Sequence, residues 1–247
     1  MKLRAYIVWG VFCAACSGAV GAAEAEHGFR FGLSLQGFSY TEALMRVSGP
    51  TVGIRAERMV SPGSEALRAE AEVRTGRPDY SSRNTGDIAH TGWLSTQWHV
   101  SQKIYQQPWA PRPGLSVSTE WNDLNGRSTT GNPGYERFNA SVWLTGSWDL
   151  HVDERLGPTT LRAAALMRGW QRSMLSQASR DLSNVTNLQR RGLWLAIETP
   201  VQLGDHRSSV RAGWRLVSKS DLRAAGANRW VEEPTNRMLE LSWTLWL

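Results

Sequence analysis

Cysteine is nearly absent from this chain: its 247 residues hold two, Cys13 and Cys16, both inside the first twenty positions. If that segment is removed, the remainder can carry no disulfide, thiolate metal site or cysteine nucleophile. Lysine is equally scarce, three residues against twenty-five arginines. Beyond Ala25 no apolar run reaches the ~18 residues of a membrane helix, and apolar positions at helical spacing are rare, which excludes a polytopic helical membrane protein and a helix bundle. None of the five histidines has a second histidine three or four residues away, so no metal site is readable. No glycine-rich phosphate loop occurs, and the residues give no reason to expect a cofactor.

What the chain does have is tryptophan, thirteen residues, beside a mean hydropathy of −0.39. An aromatic-rich chain that is polar on average suits a barrel with an apolar outside and a polar inside. The net charge of +6 is mild and falls to +4 if Lys2 and Arg4 are lost, so nucleic acid is not an expected partner. Those two cations precede an uncharged stretch, Tyr6 to Val20, that ends among Ser17, Gly18, Ala19, Gly21, Ala22 and Ala23. This three-part pattern predicts a signal peptide at 1–23, cleaved between Ala22 and Ala25, and one barrel domain at 24–247. Ala14-Ala15-Cys16-Ser17 partly resembles a lipoprotein cleavage box, with Cys13 where leucine is wanted.

Period-two alternation then recurs at regular intervals, predicting ten strands: Phe29–Gln36, Thr51–Val60, Leu67–Thr75, Trp93–Val100, Leu115–Trp121, Phe138–Thr145, Leu161–Arg168, Leu193–Glu198, Val210–Val217 and Met238–Leu247. In the clearest, Leu67, Ala69, Ala71 and Val73 share one face while Arg68, Glu70, Glu72 and Arg74 share the other. A soluble sandwich does not hide four charges on its second face unless that face is wet or paired. With the first strand rising, the outer loops are expected at Glu42–Pro50, Gly76–Thr91, Asn122–Tyr135, Ser173–Gln189 and Lys219–Asn236. The inner turns are expected at Ser61–Ala66, Gln102–Pro113, His151–Pro158 and Pro200–Arg207. Long outside and short inside is the asymmetry of bacterial outer-membrane barrels, although Gln102–Pro113 is long for an inner turn and keeps an eight-stranded count open.

If the apolar faces meet lipid, the same parity sends Arg30, Arg55, Arg68, Arg74, Arg137, Arg162, Arg168, Arg211 and Arg215 into the lumen, with Glu57, Glu70, Glu72, Glu120, Glu198 and Glu240. Paired, these side chains would fill a narrow barrel; the arginine surplus would instead favour anions in a narrow channel. Leu195 is expected on the lipid face and Ser116 on the lumen face. His99, with Ser95 and Gln97, falls on the lumen face toward the inner end of its strand, away from the rim where an enzyme of lipids or peptides would need it. Asp79, Asp87 and His90 share an outer loop, without the motifs of outer-membrane proteases.

Leu239, Leu241, Trp243, Leu245 and Leu247 alternate with polar residues up to the last position. This resembles the closing strand of bacterial outer-membrane β-barrels, departing from it at Leu247, where an aromatic residue is usual. Gly134-Tyr135-Glu136-Arg137, a strand, and then Leu166-Met167-Arg168-Gly169-Trp170 resemble small barrels of proteobacteria. The resemblance implies an all-β, closed, antiparallel, up-and-down transmembrane barrel in the bacterial outer membrane, with the barrel-assembly machinery as a partner during biogenesis. The expected role is structural, adhesive or ligand-binding at the surface, and not enzymatic; the alternatives are the anion-favouring channel or a lipid- or peptide-processing enzyme. Outer-membrane lipid and lipopolysaccharide are the remaining expected partners, met by loop arginines Arg172, Arg180, Arg223 and Arg229 through phosphate.

Overall fold

A sheet with one apolar and one polar face leaves two edges unpaired, and closing it into a ring removes both. The structure, a computed structural model, describes residues 29–42, 44–60, 67–104, 107, 110–131, 133–153, 157–175, 185–224 and 235–247. The expected signal segment lies outside these residues, as do Arg180 and Arg229. The strands are β1 (Phe29–Thr41), β2 (Met45–Val60), β3 (Leu67–Gly76), β4 (Asp79–Ser82), β5 (Gly92–Gln102), β6 (Arg112–Arg127), β7 (Pro133–Asp153), β8 (Gly157–Leu175), β9 (Val185–Leu203), β10 (His206–Ala224) and β11 (Thr235–Trp246). Chain neighbours pair antiparallel, and β1 pairs with both β2 and β11, closing a ring of ten. The eight-stranded count is thereby set aside.

The short β4 is β3 continued along β2, after an interruption at Pro78. Proline has no N–H to give the ladder. Its carbonyl instead accepts from the backbone N–H and the hydroxyl of Thr91, at 2.8 and 2.7 Å. Gly49 lies opposite, where a Cβ would meet Pro78 at 2.8 Å, so the close approach requires glycine.

Most strands run well past their expected ends: β7 has 21 residues, and β8, β9 and β10 have 19 each. A tilted strand crosses the bilayer in about 9–11 residues, so these project beyond it. Two of the expected loops shrink for readable reasons. Glu42–Pro50 is mostly strand, because Met45 and Val47 turn inward and are buried. Pro200–Arg207 reduces to the two residues Gly204 and Asp205, where Gly204 takes a φ of +58°, the conformation a tight hairpin demands of its first loop residue.

The outer wall carries the apolar side chains. Leu33, Leu35, Val52, Ile54, Leu115, Leu144, Leu195, Ile197, Leu239 and Leu241 are all exposed there. The interior holds nearly all the buried charge, together with two apolar clusters.

Candidate functional site in the lumen

The lumen is built by alternation on every strand, and its inner half is a lattice of ion pairs. Glu57 accepts from Arg30 at 2.7 Å and from Arg68 at 2.8 Å. Arg55 forks onto Glu198 at 2.6 and 2.9 Å and reaches Glu70 at 3.1 Å. Glu70 also accepts from Arg162 at 2.6 Å and from Arg68 at 3.0 Å, so one carboxylate serves three guanidinium groups. Glu72 accepts from Arg74 at 2.5 Å and from Arg211 at 2.9 Å. Arg74 donates to Gln36 at 2.7 Å, and Gln36 in turn donates to Glu240 at 2.7 Å. Arg215 pairs with Glu120, and Arg112 pairs with Asp149.

These contacts cross the barrel. Arg55 of β2 meets Glu198 of β9, Arg162 of β8 meets Glu70 of β3, Arg211 of β10 meets Glu72 of β3, and Arg215 of β10 meets Glu120 of β6. In each case the two strands are four places apart in the ring of ten, close to a diameter. Trp246 closes the floor, with Arg30 stacked 4.1 Å from its ring centroid and its indole N–H donating to Ser209 at 3.2 Å.

The outer half is different. Phe38, Tyr40, Met45, Val47, Tyr80, Trp93, Leu124, Tyr135 and Met238 form one buried cluster, with the Phe38 and Trp93 rings 4.2 Å apart. One ion pair is set within it: Glu42 accepts from Arg137 at 2.9 Å and from the Tyr40 hydroxyl at 2.6 Å. A second cluster, Trp143, Ala164, Leu166, Trp194 and Val217, fills the middle on the side of β7–β10. Between these regions lies a cavity of about 40 Å³, bordered by Glu72, Arg74, Glu120, Arg215 and Glu240, with room for a few waters.

A closed ring with an even number of strands, an apolar outer wall and a charged, hydrogen-bonded interior is stable only with lipid outside it. The chain is a β-barrel of the bacterial outer membrane. No known protein family matches this barrel's sequence, and no curated protein does. Among solved structures it is similar to the translocator domain of the autotransporter NalP from Neisseria meningitidis, at 15% identity over 98% of this chain and 95% of that one, with a TM-score of 0.41. It is also similar to the β domain of the Bordetella autotransporter BrkA, at 14% identity over 87% and 98%, TM-score 0.44. A third is an outer-membrane channel from Pseudomonas putida, at 10% identity over 93% and 98%, TM-score 0.42.

Of the expected lumen charges, Arg55, Glu57, Arg68, Glu70, Glu72, Arg74, Glu120, Arg137, Arg162 and Arg211 are buried in the barrel, and Arg30, Glu198, Arg215 and Glu240 are half-buried there. Arg168 is a correction: it is exposed on the outer wall. The ladder between β7 and β8 slips between Val142 and Trp143, leaving Met167 as an extra residue, and a bulge of one residue reverses the parity of all that follows. Sequence reasoning missed Glu42 and Gln36, although both continue the inward parity of β1 through Phe38 and Tyr40. It also missed the Arg112–Asp149 pair, which lies in an expected turn and at a strand end.

On the closing strand, Leu239, Leu241, Trp243 and Leu247 are exposed on the outer wall and Leu245 is half-buried. Arg172 is exposed on β8, and of Arg223 only the backbone is described. His99 is buried in the wall opposite Glu70 and Ser116, far from the outer rim. At the rim, His90 Nδ1 stands 3.9 Å from Asp79, while the backbone N–H of Asp87 donates to the Thr129 hydroxyl at 3.1 Å. Among the described residues no three acidic, histidine or cysteine side chains gather as a metal site.

Proposed function

We propose that this outer-membrane barrel acts through its surfaces, as a structural, adhesive or ligand-binding element of the cell surface, and that its lumen is a sealed core that neither conducts nor catalyses. The observation that carries this reading is the set of near-diametric ion pairs. A charge on one side of the lumen already holds its partner on the other, so an ion would have to displace a charge-assisted contact at each level, the Arg55–Glu198 fork among them. The anion-channel alternative needs a surplus of lumen arginine. With Arg168 outside and Glu42 inside, eight arginines of the ladder face seven glutamates, which leaves little surplus.

Planar-bilayer recording of the refolded barrel tests the proposal. Silence across a wide voltage range is expected from the wild type. Opening events are expected only after Glu70 and Glu72 are both replaced by alanine, which removes partners of Arg55, Arg162 and Arg211. Discrete conductance from the wild type would overturn the sealed lumen.

A further inference from the structure

The ladder between β8 and β9 stops at Ala165↔Leu193 and resumes at Gly169↔Gln189. The gap holds three residues on each strand: Leu166, Met167 and Arg168 on β8, and Arg190, Arg191 and Gly192 on β9. Because the gaps are equal, the register survives, and what changes is the direction of the side chains. Inside, Gly192 admits its neighbours closely; a Cβ there would stand 3.0 Å from Leu166 and 3.1 Å from the Trp143 ring. Outside, Arg168, Arg190 and Arg191 are all delivered to the same patch of wall, and all are exposed. Arg172, also exposed, lies four residues further up β8.

Arg168 and Arg190 occupy opposite places in the gap. Among the described residues, none of Arg168, Arg172 and Arg191 has an acidic partner within ion-pair distance. The position along the wall is also informative. The wall is apolar beside the patch, where Met167 and Val142 are exposed, and on its periplasmic side, where Leu144, Leu193 and Leu195 are exposed. On the outer side stand Phe138 and Trp170, edge to face at 5.7 Å, in the manner of an aromatic girdle. The arginines therefore sit where acyl chains give way to headgroups in the outer leaflet.

We propose that Arg168, Arg190 and Arg191, with Arg172 above them, bind the phosphorylated headgroup of an outer-leaflet lipid, the lipopolysaccharide of that leaflet, whose acyl chains lie against Met167, Leu193 and Leu195. Guanidinium groups grip phosphate oxygens bidentately, and one dianionic headgroup can accept from several arginines at once. This differs from tethering by flexible loops, because the site is fixed to the barrel wall.

The test uses the full-length barrel refolded in zwitterionic micelles, with bisphosphorylated lipid A, its dephosphorylated form and inorganic phosphate as probes. The variants are R168Q/R191Q and R190Q, with R207Q at the periplasmic hairpin as a control. Wild type should retain phosphorylated lipid A better than the dephosphorylated form and should lose that preference as salt rises. R168Q/R191Q should bind phosphorylated lipid A about tenfold more weakly and discriminate less between the two forms, R190Q should show a smaller loss, and R207Q should match wild type. In lipid-free micelles R168Q/R191Q should be at least as heat-stable as wild type, since neither arginine holds an acidic partner in the barrel. Unchanged binding by R168Q/R191Q overturns the site. Equal affinity for both forms of lipid A, or retention of inorganic phosphate in place of lipid A, overturns the lipid headgroup as the ligand. Lower stability of that variant without lipid overturns the binding role in favour of a structural one.

Discussion

The two halves of the lumen solve the same problem with opposite chemistry. The inner half is filled by Arg55, Arg68, Glu70, Glu72, Arg162 and Arg211 in mutual contact, the outer half by Phe38, Tyr80, Trp93, Leu124 and Tyr135. An apolar cluster excludes water without demanding any one geometry. An ion-pair lattice is stable only when every member is matched, because each group has already lost its hydration. The inner half should therefore fail when one partner is deleted, and the outer half in proportion to the volume removed.

The largest effect is expected from Glu70→Ala, which strands the guanidinium group of Arg162 and leaves Arg55 only Glu198 and Arg68 only Glu57. A loss of about 3–5 kcal/mol is expected in urea unfolding of the micelle-refolded barrel, with part of it recovered when Arg162→Met is added. Absence of any recovery would mean that the lattice is not a unit. In the outer half, Leu124→Ala should cost about 2–4 kcal/mol in the same assay, and no second deletion should rescue it.

The wall sharpens the comparison. Leu195→Arg puts a charge into lipid and should cost about 2–4 kcal/mol. Ser116→Arg would be harmless in an open lumen, but Ser116 is buried and donates to the Trp98 carbonyl at 2.9 Å. In the filled barrel it should cost about 1–3 kcal/mol by overpacking, and folding into lipid vesicles with no loss would show spare room that the structure lacks. The smallest effect belongs to Asp79→Asn. The His90–Asp79 pair is 79% and 68% exposed, so it should shift stability by no more than about 0.5 kcal/mol, against several for a buried pair of the same chemistry.

Much of this architecture was legible as alternation. The run Leu67–Thr75 declared both of its faces, and Leu239 to Leu247 declared a lipid-facing strand. The reading stopped where apolar residues stopped. Gln171, Asn187 and Gln189 are buried inside the outer parts of β8 and β9, where polar side chains on the inward face gave no apolar signal, so the first was left beyond its expected strand and the other two were read as loop. Arg168 shows a different limit. A bulge moves every later side chain to the other face and leaves almost no trace in composition, so parity counted from Leu161 fails after Leu166. The pairing itself was not legible either, because one guanidinium choosing between Glu57, Glu70 and Glu198 is a matter of three-dimensional distance.

The near-diametric pairs also bear on how the barrel comes together. Their partners lie 92 to 143 residues apart along the chain, and strands four places apart in the ring cannot face each other until β1 has met β11. During strand-by-strand insertion the lumen charges remain hydrated, and the lattice locks late and cooperatively, after the seam has joined. Such distant contacts make for slow folding, and they act as a latch. Once Arg55 has forked onto Glu198, reopening the seam requires the inner half of the lumen to take up water again, so the same side chains that delay completion hold the finished barrel shut.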